Sequence, residues 1–127
     1  MMNTNTTSNT GQWRLIDGDR ILDMAMGDTE FLAELIELFM STVPEQMCEI
    51  GLAIERKQAE TLAITAHGFK GTVANYTREE PFRLLQTLED DGKSNQLQDA
   101  SISYAALENE MQELISELNM LMAQVCR

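Results

Sequence analysis

Proline, glycine, histidine and cysteine are all scarce in this chain. Two prolines and seven glycines among 127 residues favour helix over sheet. A single histidine gives no cluster of metal ligands, so we predict no metal site. Cys48 and Cys126 form no recognised motif, and two cysteines without an export signal suggest reduced thiols in a cytoplasmic protein.

Positive charge and long apolar runs are also missing. Nine lysines and arginines against 21 acidic residues give a net charge of −12, which argues against nucleic acid and anionic membranes as partners. No apolar run reaches about 18 residues, so we predict no membrane insertion. Met1 is not followed by a signal peptide. We therefore expect a cytoplasmic protein, with a monomer as the default oligomeric state.

The length suits one domain, which we place at residues 13–127 after a flexible polar tail at residues 1–12. The first helix is predicted from Asp19 to Met26, ended by Gly27. The second is capped by Asp28 and extends to about Arg56. We expect Pro44 to kink this helix and not to split it, because the apolar periodicity continues across it.

The core stripe of the second helix is predicted from residues at helical spacing. These are Phe31, Leu35, Leu38, Phe39, Val43, Met47, Ile50 and Ile54. A second apolar row on the same helix has two interpretations, further core or a docking patch, and core is preferred. It consists of Leu32, Ile36 and Met40.

Three further helices complete the prediction. The third covers about Gln58 to Tyr76. The fourth ends near Asp90 and begins either with a capping box at 77–80 or near Glu80, with Pro81 in its first turn. Residues 90–95 resemble a turn, and the last helix begins at 97 or 99. The pattern predicts an all-α fold, an antiparallel four-helix bundle with a short extra N-terminal helix.

His67 lies on the third helix, roughly 140° from its predicted core stripe, so its imidazole should point away from the core. That stripe consists of Leu62, Ala66, Phe69, Val73 and Tyr76. Gly68 and Gly71 weaken the helix by about 0.5–1 kcal/mol each, relative to alanine. Gly71 lies on the histidine's face, which suggests close approach by a partner. Gly68 fits helix packing and partner access equally well. Lys70, one turn on, would favour an added anion on the ring.

The segment Ala66-His67-x-Phe69-Lys70-Gly71-Thr72-x-Ala74-Asn75 resembles the signature of histidine-containing phosphotransfer (HPt) domains. The resemblance extends from about residue 16 to 124 and includes Glu89 at the end of the next helix. Thr77 and Pro81 depart from the family pattern. These two departures affect the turn after the histidine helix.

The resemblance implies a phosphorelay carrier. His67 would accept a phosphoryl group from a receiver-domain aspartate and pass it to another receiver, in a response regulator or a hybrid sensor kinase. Lys70 and Gly71 would neighbour the phosphate, and Ile64, Gly68 and Ala74 would contact the partner. No cofactor is expected on this chain, and Mg²⁺ would belong to the receiver.

No Gly-rich phosphate loop is present, so the chain is not expected to be an autonomous kinase. Its polar start is compatible with a free-standing protein and with the end of a hybrid sensor histidine kinase. The alternative function is a helical adaptor that binds receivers or other partners without phosphoryl exchange. An enzyme with a buried catalytic site has little support, since no nucleophile–base pair is evident.

Overall fold

The computed structural model describes residues 13–125, and five helices account for most of this range. They are α1 (Gly18–Met24), α2 (Thr29–Glu55), α3 (Ala59–Val73), α4 (Glu80–Ser94) and α5 (Ala100–Val125). Residues 13–125 contain no strand, so the predicted all-α class is confirmed. The predicted polar tail and Cys126 lie outside the described residues.

The four long helices form a ring in which each one packs against two neighbours. The packed pairs are α2–α3, α3–α4, α4–α5 and α2–α5, so α3 lies diagonally across from α5. Short connections between consecutive neighbours give the antiparallel bundle that the periodicity predicts. The short α1 packs against α2. None of the helices in the described range is long and apolar enough to cross a membrane.

The segment before α1 is fixed to the bundle by one buried carboxylate. Glu117 on α5 accepts hydrogen bonds from the backbone N–H groups of Arg14, Leu15 and Ile16, at 3.1, 3.0 and 3.2 Å. Trp13, Leu15 and Ile16 are buried, as predicted for the first anchors onto the core. These three N–H groups have no acceptor within a helix or a sheet, so the carboxylate satisfies their hydrogen-bonding requirement.

The starts and ends of the first two helices follow from local backbone chemistry. α1 ends at Met24, two residues earlier than predicted, because Met26 and Gly27 adopt left-handed φ values of 56° and 76°. Asp28 caps α2 as predicted, since its side chain accepts from the Phe31 N–H at 3.0 Å. Pro44 lies inside an unbroken α2, so the helix is not split.

The predicted core stripe is wrong in the first turns of α2. Leu32 and Ile36 are fully buried, whereas Phe31 and Leu38 are exposed. The second apolar row, which consists of Leu32, Ile36 and Met40, therefore belongs to the core and not to a docking patch, although Met40 is only partly buried. The buried face continues through Phe39, Val43, Met47, Ile50 and Ala53.

The carboxyl-terminal ends of α3 and α4 differ from the prediction. α3 ends at Val73, three residues early, although Tyr76 is still buried. α4 continues to Ser94, so the turn predicted at residues 90–95 is wrong. Gly92 is buried inside this helix, where a Cβ would lie 2.6 Å from the Ala59 carbonyl oxygen. The glycine therefore permits close helix packing and does not mark a turn.

Candidate functional site

α3 presents His67 on the outside of the bundle. Leu62, Ala66, Phe69 and Val73 are the buried residues of this helix, as predicted. The His67 side chain lies on the other side and is 69% exposed. The predicted orientation of the imidazole is therefore confirmed.

Glu89 on α4 holds the ring of His67. Its Oε2 atom lies 3.0 Å from His67 Nδ1, and its side chain is only 3% exposed. An ionised carboxylate can only accept a hydrogen bond, so Nδ1 carries the proton in this contact. In the neutral ring this assignment leaves the lone pair on Nε2. The contact thus fixes the orientation of the ring and the tautomer of its neutral form.

Lys70, which the resemblance places beside the phosphate, is bound to Glu89 in the structure. Its side chain is 15% exposed, and its Nζ atom lies 2.7 Å from Glu89 Oε1. The same ammonium donates to Gln86 Oε1 at 2.6 Å and lies 5.9 Å from the centroid of the Phe82 ring. Lys70 therefore joins α3 to α4 beneath the histidine.

Lys93 is the second ammonium on this carboxylate. Its Nζ atom lies 2.9 Å from Glu89 Oε2, and its side chain is 65% exposed. The bond to Glu89 raises the pKa of Lys93. Bonds from Lys70, Lys93 and His67 outweigh burial and lower the pKa of Glu89 to about 2. Glu89 is therefore an anion at neutral pH.

The surface beside the ring has little side-chain bulk, as predicted. Gly68 and Gly71 are exposed, and a Cβ on either one would meet nothing within 4 Å. No packing inside the described chain requires these glycines, so the packing interpretation of Gly68 loses its support. Ile64 is 65% exposed and lines a groove with His67, Glu89 and Lys93.

The turn after α3 is tied to the start of the chain. Ala74 caps α3, and its carbonyl oxygen, like that of Asn75, accepts from the Arg20 guanidinium. Thr77 is buried and donates to the Leu15 carbonyl oxygen at 2.7 Å. Its hydroxyl also accepts from the Glu79 N–H, so the predicted capping box does not form.

Pro81 lies in the first turn of α4, which begins at Glu80. The second of the two predicted helix starts is therefore confirmed, since proline is tolerated where a backbone N–H would have no helical partner. Thr77 and Pro81, the two departures from the family pattern, are both built into the fold of this turn.

Sequence reasoning did not assign three groups of the site. Glu89 enters the sequence prediction only as part of the family resemblance, and Gln86 and Lys93 do not enter it. Their spacing, 86-89-93, follows one face of a helix and was the available signal. Leu38 is 64% exposed and lines a groove between α2 and α3 with Thr72. The predicted core position of Leu38 is therefore wrong.

Comparisons with known proteins match most of the chain to one family. Residues 34–118 match the Hpt domain family. The chain is 28% identical over 104 residues to the phosphorelay intermediate protein rdeA of Dictyostelium discoideum. That match covers 81% of this chain and 41% of the relative, so the chain spans about two fifths of the relative's length.

Two solved structures share the fold. Histidine-containing phosphotransfer protein B of Pseudomonas aeruginosa PAO1 superposes with a TM-score of 0.78 at 19% identity, covering 86% of this chain and 95% of that one. The HPT domain of a sensor hybrid histidine kinase from Shewanella gives 0.69 at 20% identity, covering 86% and 94%. Together with the match to the family over residues 34–118, the exposed histidine on a four-helix bundle identifies the chain as a member of the Hpt domain family.

Proposed function

We propose that this protein is a phosphorelay carrier, with His67 as the phosphoacceptor. The observation that carries the proposal is the contact of His67 Nδ1 with buried Glu89, which orients the exposed side chain and, in the neutral ring, leaves the lone pair on Nε2. The donor would be an aspartyl phosphate of a receiver domain, in a response regulator or a hybrid sensor kinase. A second receiver would then take the group from His67.

The transfer needs no proton at the attacking nitrogen. The Nε2 lone pair forms the N–P bond while the P–O bond of the aspartyl phosphate breaks, and the aspartate leaves as a carboxylate. The Nδ1 proton stays on the ring, where Glu89 stabilises the positive charge that develops. Positioning and charge neutralisation provide most of the catalysis in such a transfer.

The chain would contribute the oriented nucleophile, and the receiver would contribute its own carboxylates and Mg²⁺. We propose that this chain is a cytoplasmic monomer. We also propose that it has no cofactor and no nucleotide site and that it does not bind nucleic acid. It would then be a carrier and not an autonomous kinase, whether free-standing or the end of a hybrid kinase.

The partner would dock on the surface around His67. Gly68 and Gly71 would admit its backbone, and Ile64 would provide an apolar contact on the α4 side. Ala74 lies at the far end of the same helix. Leu38, across the α2–α3 groove, extends the proposed surface with a second exposed apolar side chain.

Phosphoryl transfer from a panel of phosphorylated receiver domains tests this proposal. We expect acid-labile, base-stable label on the wild type and none on His67→Gln, with receiver binding retained by both. No label on the wild type from any receiver, with binding intact, would replace the carrier with the adaptor that binds without phosphoryl exchange.

A further inference from the structure

Two ammonium groups share the single carboxylate of Glu89, and they differ in how firmly they are held. Lys70 is nearly buried and is also bonded to Gln86. Lys93 is 65% exposed and has Glu89 as its ion-pair partner. An exposed ion pair constrains a long side chain weakly, whereas a buried and doubly bonded ammonium costs much more to move.

Lys93 is also on the side of the carboxylate that faces the histidine. Its Nζ atom and His67 Nδ1 contact the same oxygen, Glu89 Oε2, whereas Lys70 contacts Oε1. Lys93 and His67 line one groove, together with Ile64. A lysine side chain carries its ammonium on a flexible four-carbon stem, so it can follow a charge that forms nearby.

The cluster of Lys70, Lys93 and Glu89 has a net positive charge, which favours an added anion. Two lysines bound to one carboxylate leave one positive charge uncompensated within it, in a protein of net charge −12. Asp90 is the next acid nearby, and it accepts a hydrogen bond from Gln86 Nε2 at 3.0 Å. Its charge raises the pKa of Lys93 through space, but less than Glu89 does. A phosphoryl group brings nearly two negative charges at neutral pH.

We infer that Lys93, and not Lys70, neutralises the phosphoryl group on His67, by moving from Glu89 Oε2 to the phosphoryl oxygens when the N–P bond forms. This inference rests on the proposed function. Lys70 stays on Glu89 and Gln86 and keeps α3 and α4 in register. The ring keeps its Nδ1 proton throughout, with Glu89 accepting the hydrogen bond, and Lys93 transfers no proton.

Phosphoramidate, a small donor that labels histidine without a receiver, tests the inference on the intact protein. We compare Lys93→Gln with Lys57→Gln, which removes the same charge from an exposed site before α3. We expect the labelling rate of Lys93→Gln to fall by about tenfold, the scale of one charge-assisted hydrogen bond. Lys57→Gln should label at the wild-type rate.

A ³¹P NMR titration of the labelled proteins adds a readout that a purely structural role would not change. The phosphoryl group should ionise at higher pH in Lys93→Gln than in wild type. Lys70→Gln should instead lower the melting temperature and leave the ³¹P titration of its folded fraction unchanged. Wild-type kinetics and titration in Lys93→Gln, with both altered in Lys70→Gln, would overturn the inference. Failure of the wild type to label at His67 would instead contradict the proposed function.

Discussion

Gly92 on α4 lies directly against the backbone of Ala59 on α3, so closely that a Cβ on the glycine would be 2.6 Å from the Ala59 carbonyl oxygen. The amide nitrogen of Ala63 would lie at 2.7 Å. These neighbours are backbone atoms, which cannot rotate away. The spacing of the two helices that carry His67 and Glu89 therefore depends on this glycine.

Gly92→Ala should destabilise the protein by about 1–3 kcal/mol, because overpacking forces the helices apart. Urea denaturation measures the change. Gly68→Ala is the matched control, since its Cβ meets open space. That variant should gain about 0.5–1 kcal/mol from helix propensity. Similar changes in both variants would contradict the close-packing argument.

Gly71→Leu should leave the fold intact and obstruct the partner. A Cβ at this position would meet nothing within 4 Å, so helix content should be unchanged or raised. Transfer from a phosphorylated receiver should fall about 10-fold to 100-fold, because small misplacements of reacting groups are costly. Labelling by phosphoramidate should hardly change. An equal loss with both donors would show that the side chain disturbs the site itself.

Glu89→Gln should remove a pH-dependent contribution to stability. Bonds from Lys70, and then from Lys93 and His67, lower the pKa of Glu89 to about 2 from an ordinary 4.5. A lowered pKa in the folded state stabilises it fully above pH 4.5, and this contribution is lost as the pH falls towards 2. The free energy of unfolding, measured in urea from pH 7 to 2.5, should therefore converge for wild type and variant at low pH.

Glu49→Gln is the control for this titration, because Glu49 is exposed and lies in the interior of α2, away from the helix ends. Its stability should follow that of the wild type across the range. A constant difference between wild type and Glu89→Gln at every pH would mean that the carboxylate's charge does not provide the stabilisation.

Thr77→Val should destabilise the turn after the site helix. The hydroxyl is buried and bridges the Leu15 carbonyl oxygen and the Glu79 N–H, and valine leaves both without this partner. We expect a loss of about 1–3 kcal/mol, measured by thermal and urea denaturation. Thr77→Ser keeps the hydroxyl and should recover most of it. If serine were as destabilising as valine, the two hydrogen bonds of the hydroxyl would not account for the stability of this turn.

Periodicity predicted the bundle and the side of α3 on which His67 lies, but it failed on α2. The first turns of α2 are apolar on several sides, with Phe31, Leu32, Leu35 and Ile36 within six positions. More than one stripe therefore fits, and only packing against the other helices selects Leu32 and Ile36. The extra apolar side chains remain on the surface.

The site was only partly predictable for a different reason. His67 and Lys70 are neighbours in sequence, so a helical wheel relates them directly. Glu89 is 22 positions from His67 and meets it only because α4 packs closely on α3. The same packing explains the error at residues 90–95, where a turn-like composition includes a glycine that the helix contact requires.

Gly68 and Gly71, which are both exposed, limit how far this protein can be engineered for heat resistance. Helix propensity alone would place alanine at both exposed positions. A search guided only by melting temperature should therefore select these substitutions early. If a receiver backbone does approach there, each gain in thermal tolerance would narrow the range of receivers that can still reach the imidazole.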